Sequence, residues 1–102
     1  MDQLDAGWAE KFKILADANR LAIIDRLLQR ESSAGALSEA LAIEQTLLSH
    51  HLKVLREAGF VTSRREGKNI IYQLSADLHC AANGPALDLG CCQITFQPDT
   101  RR

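Results

Sequence analysis

The chain has 102 residues, 46% of them hydrophobic and 25% charged, with a formal net charge of -1. These proportions sit near the globular average and exclude a disordered or fibrous chain, and the length suits a single domain over residues 1–102 with one core. No apolar run approaches the roughly 18 residues that span a bilayer, and the opening Met1 to Asp5 is acidic where a secretory leader is basic, so a cytoplasmic protein with no membrane partner is expected.

In chain order, Trp8, Phe12 and Leu15 recur at i, i+4 and i+7 and predict an amphipathic first helix over about 4–16. Asp17 is placed to cap a second helix ending near Arg30, with Leu21, Ile24, Leu27 and Leu28 on its core side. Glu31 to Gly35 reads as a loop, followed by a short helix holding Leu37 and Leu41 and a tight connection at Ala42 and Ile43. From Glu44 to Ala58, Leu48, Leu52 and Leu55 form an apolar stripe that leaves Gln45, Thr46, Ser49, His50 and Lys53 outside it.

Gly59 suits the left-handed residue that closes a helix, and the pattern then turns to strand. Phe60 to Arg65 and Asn69 to Leu74 predict a hairpin around Glu66, Gly67 and Lys68. Beyond it, Ala76 to Ala82 predicts one or two helical turns broken by Asn83, Gly84 and Pro85, then Leu87 to Phe96 an extended segment and a frayed tail from Gln97. The fold class that follows is mainly α with a small β-hairpin, a winged helix-turn-helix.

Charge follows this organisation. Residues 1–48 carry five Lys/Arg against eight Asp/Glu, residues 49–74 five against two, and residues 75–102 two against three. The one basic segment holds the second helix of the helix-turn-helix and the hairpin, which makes double-stranded DNA the expected partner and about 36–74 the DNA-binding core. The N-terminal part of such a helix enters the major groove. There Gln45 suits a bidentate pair with adenine, Thr46 and Ser49 suit bases or phosphates, and His50 and Lys53 lie on the same face. Leu47 either touches a thymine methyl or packs. Arg64, Arg65 and Lys68 at the hairpin suit phosphates or the adjacent minor groove, whereas an ordinary solvated surface would show the same charges without the preceding helix pair.

These residues resemble the ArsR/SmtB family of bacterial metalloregulators, of the arsenic-repressor type. The likeness covers residues 8–74: Leu15, Ala16, Asp17, Asn19, Arg20 and Leu21, then Gln45 to Val61, then the wing RREGKNIIYQL. Ser49, His51, Leu52, Leu55, Gly59 and Gly67 are its most specific positions. The resemblance implies a homodimeric repressor bound to an operator overlapping its own promoter and released by an inducer. Independently, pairing enlarges a small core and gives two recognition helices the symmetry of a palindrome. The first helix and the C-terminal segment are the expected dimer surfaces.

Cys80, Cys91 and Cys92 all follow the wing, so about 75–102 is the expected inducer-sensing segment. An odd set with two adjacent members is a poor disulfide framework and predicts reduced thiols. Three thiolates select soft ions and suit As(III) or Sb(III), which need no fourth ligand. Tetrahedral zinc wants four, for which His79 is the available addition, so Zn(II) or Cd(II) is the weaker metal reading. Thiol redox or polysulfide sensing is the remaining alternative, with Cys80 as one partner because adjacent cysteines seldom bridge each other. No phosphate loop or nucleophile motif points to an enzyme, and no organic cofactor is expected.

Overall fold

The computed structural model describes residues 6–80, 86–88 and 93–95. Helix α1 (Ala6–Leu15) leads into α2 (Ala18–Gln29) through Asp17, whose carboxylate accepts hydrogen bonds from the backbone N–H groups of Asn19 and Arg20 at 2.9 and 3.1 Å. That is the predicted cap, and it satisfies donors that the first helical turn cannot. Leu15 is buried, but Phe12, expected on the same stripe, is 37% exposed.

Residues 31–35 depart from the expected loop. Ser32–Ser33 is a short strand, β1, and Ser33 then caps α3 (Ala34–Leu41) by accepting from the Ala36 N–H at 3.1 Å. The strand exists because its backbone groups pair antiparallel with Tyr72 and Ile71, forty residues later in the chain, so nothing local announces it. Helix α4 (Gln45–Glu57) carries the predicted stripe of Leu48, Leu52 and Leu55, all buried.

Helix α4 ends as Gly59 predicts. Gly59 takes φ +88°, its N–H donates to the Arg56 carbonyl at 3.0 Å, and the Phe60 N–H donates to Leu55 at 2.9 Å. Both Leu55 and Phe60 are buried, which gives this helix end the apolar contact that usually accompanies it. The chain then forms β2 (Val61–Glu66) and β3 (Asn69–Leu74), with Val61 opposite Leu74 and Glu66 opposite Asn69. The tip is a two-residue turn in which only Gly67 takes positive φ, +62°, the pattern of a type II′ turn with glycine first.

The sheet order is β1-β3-β2. Its inner face, through Val61 and Leu74, joins Ile23, Ile24, Leu37, Leu52 and the rest of one core drawn from all four helices. A helix pair joined by a tight turn and followed by this hairpin is the winged helix-turn-helix arrangement.

After the wing, Ala76–Leu78 is a single 3-10 turn and the chain is extended at His79–Cys80 (β4), in place of the expected longer helix. The segment instead pairs antiparallel with β5 (Ala86–Asp88), which pairs in turn with β6 (Gln93–Thr95). The tail from Gln97 and the break at Asn83, Gly84 and Pro85 lie outside the described residues. Among the described residues, no helix is long and apolar enough to cross a membrane.

Candidate nucleic-acid interface

The turn between α3 and α4 sets the angle at which α4 is presented. Ala42 takes the left-handed conformation at φ +56°, and the Ile43 N–H donates to the Ser38 carbonyl at 3.2 Å. The Ser38 hydroxyl donates to the Ile43 carbonyl at 2.6 Å, so one residue of α3 fixes both sides of the turn. Ile43 is buried, which anchors the connection to the core.

At the start of α4, the exposed Glu44 accepts from the Leu47 N–H at 3.2 Å. Backbone hydrogen bonds from Thr46 and Leu47 hold its carboxyl below the usual range, so a carboxylate stands at the leading end of this helix. Gln45, Thr46, Ser49, His50 and Lys53 are all exposed and share one face, as their spacing predicts. Leu47 is 43% exposed and so does not pack into the core.

His51 is different: it faces inward, 5% exposed. Its Nδ1 accepts from Arg20 Nε at 3.1 Å, and another Arg20 nitrogen donates to the Ile14 carbonyl at 3.1 Å. One guanidinium therefore ties the end of α1, the first turn of α2 and the inner face of α4. Burial, the largest influence, lowers the His51 pKa from its ordinary 6.5, while the nearby Asp17 carboxylate works against that.

On the wing, the three predicted cations are not equivalent. Arg64 lies 2.6 Å from Glu31 and 2.9 Å from Glu66 and donates to Gln73 at 3.0 Å. The register explains the cluster: Gln73, Arg64 and Glu66 occupy alternate positions that place them on the outer face of the sheet, and Glu31 immediately precedes β1. Hydrogen bonding to Arg64 lowers the Glu31 pKa, and both carboxylates hold Arg64 more firmly protonated. Arg65 and Lys68 are exposed and, among the described residues, neither has an ion-pair partner.

Of the three cysteines, only the backbone of Cys80 is placed: it lies in β4 opposite Ala86, on the far side of β5 from β6. Its side chain, Cys91 and Cys92 lie outside the described residues. Among the described residues, no three His, Cys, Asp or Glu side chains gather in a cluster that could hold a metal.

An exposed polar face on the second helix of a braced helix-turn-helix, followed by a cationic wing, is a combination with known relatives. Residues 17–63 match the family described as "Bacterial regulatory protein, arsR family". HlyU from Vibrio cholerae superposes with a TM-score of 0.69 at 38% identity, over 74% of this chain and 83% of that one. The chain belongs to the ArsR family.

This ArsR-family chain is also 41% identical over 78 residues to the transcriptional repressor SmtB of Mycobacterium tuberculosis, covering 76% of itself and 56% of SmtB. It spans little more than half the length of that relative. A probable mercury resistance operon repressor of Streptomyces lividans is 35% identical over 92 residues, 82% of this chain and 74% of that protein. A solved domain from Mycobacterium bovis, described as a homodimeric winged helix-turn-helix DNA-binding domain, superposes with a TM-score of 0.66 at 34% identity, over 70% of this chain and 66% of that domain. These relatives are regulators of transcription, and no catalytic family is indicated.

Several site features were beyond sequence reasoning. Ser38 shows only as one more polar residue of α3, and Glu is not among the side chains that favour a helix cap, so Glu44 gives no signal. The partners of Arg64 include Glu31, 33 residues away. His51 alone was marked, as a specific position of the family resemblance.

Proposed function

We propose that this chain is a cytoplasmic, homodimeric transcriptional repressor that binds operator DNA through α4 and the wing. The observation that carries the reading is the face of Gln45, Thr46, Ser49, His50 and Lys53, exposed on a helix whose opposite face is buried. Gln45, Thr46, Ser49 and His50 are assigned to bases and nearby phosphates, and Lys53, Arg65 and Lys68 to backbone phosphates. Arg64, engaged by two carboxylates, is assigned to holding the wing in place before DNA arrives. The homodimer of the Mycobacterium bovis domain supports pairing here.

Gln45→Ala should weaken binding by about 1–3 kcal/mol at the one base pair it reads and leave other positions unaffected. Arg65→Ala should weaken every duplex alike and lower the salt slope by about 0.9. Affinity measured across single-base operator variants and several salt concentrations checks both; wild-type behaviour in the two variants removes this docking.

For the inducer, the proposal is As(III) or Sb(III) held by Cys80, Cys91 and Cys92. The chemistry of the donor set supports it, since three soft thiolates complete a trivalent site, and a relative named for mercury resistance places a thiophilic ion within the same family. Binding of the ion shifts the dimer toward a form with weaker operator affinity, and by linkage the operator weakens ion binding equally. A redox or polysulfide reading has one specific support: a structure of the related HlyU is described as its reduced form. Release of the operator is therefore measured with As(III), Sb(III), Zn(II), Cd(II) and a polysulfide, in wild type and in Cys91→Ser with Cys92→Ser. Release by arsenite that vanishes in the double variant is expected; release by zinc alone, or by polysulfide alone, assigns the segment to that inducer.

A further inference from the structure

Of the apolar side chains on α4, Leu48, Leu52 and Leu55 are buried and Val54 is half-buried, whereas Leu47 stands 43% exposed. Leu47 is the third residue of the helix, in the turn that enters the major groove first, and helical spacing sets it beside His50 on the edge of the polar face. Its backbone N–H is bound by the Glu44 carboxylate, which fixes that first turn. A large apolar side chain held in water at this point gains by covering apolar surface on the partner. The base edges of the major groove offer one such group, the C5-methyl of thymine; every other edge presents polar atoms that leucine would strip of water without replacing their hydrogen bonds.

We infer that Leu47 is a specificity-determining residue that reads a thymine methyl in each half of the operator. The inference rests on the DNA-binding reading above and adds to it a base preference made without hydrogen bonds. To test it, the full chain selects duplexes from a random-sequence pool, and each thymine of the preferred duplex is then replaced singly by uracil, which removes one methyl and keeps the pairing edge. At one thymine per half-site, uracil should weaken wild type about fourfold, the value of one buried methyl, and should leave the affinity of Leu47→Ala unchanged. Equal binding of the uracil duplex by both proteins also shows that the variant is folded. Uracil effects that are the same in wild type and Leu47→Ala at every thymine overturn the inference while the DNA-binding reading stands. A pool that yields no preferred duplex overturns both.

Discussion

His51 shows how one side chain in the recognition helix serves the fold where its neighbour His50 faces the solvent. Because Nδ1 accepts from Arg20, the ring proton sits on Nε2 and the ring is neutral. A second proton would turn Nδ1 into a donor facing a guanidinium, with Asp17 as the one nearby opposing charge. The folded pKa lies below the ordinary 6.5, so above that value both states are neutral and the full contribution is present. As pH falls through the unfolded value, the unfolded chain binds the proton first, and stability declines until the folded ring titrates as well. Urea unfolding at about pH 7.5 and about pH 5.5 should therefore show a loss at the lower pH, smaller in His51→Gln. A loss equal in the two proteins would mean that His51 does not carry it.

Among the elements, α2, α4 and the hairpin were legible because their signals are local. Asp17 caps the first, a three-leucine stripe defines the second, and Gly59 and Gly67 sit where the backbone needs positive φ. Strand β1 was not, because two serines become a strand only by pairing with Tyr72 and Ile71. For the same reason, the hairpin's charges were legible as cations but not as two kinds of cation. Arg64 is tied through Glu31 to the start of β1, so the wing is held at its base rather than left to swing from Gly59. Both side chains are substantially exposed, which makes the pair a device for position more than for stability. Arg64→Gln should leave the unfolding midpoint close to wild type while speeding amide hydrogen exchange in β2 and β3. The same variant should bind DNA more weakly with a salt slope near that of wild type, whereas Arg65→Ala lowers the slope. A slope reduced as much in Arg64→Gln as in Arg65→Ala would make Arg64 a phosphate contact after all.

At the scale of the molecule, the recognition surface is small: a few residues of α4 and a short hairpin, in a chain whose net charge is -1. Counterion release from a few phosphates per subunit gives one copy only modest, salt-sensitive affinity, so specific binding calls for two copies acting together. Two-fold pairing then fixes the geometry of the operator, because the two α4 helices enter major grooves on one face of the duplex. The half-site centres should lie about 10–10.5 base pairs apart, or a multiple of that, in an inverted repeat. Inserting about 5 base pairs at the centre turns the second half-site to the opposite face, where a dimer with one rigid spacing cannot reach it. Affinity for that duplex should fall to the level of an isolated half-site, and sedimentation of the free protein should give twice the chain mass. Binding indifferent to the insertion would show that each subunit reads DNA alone, and would separate the dimer from the recognition that α4 and the wing provide.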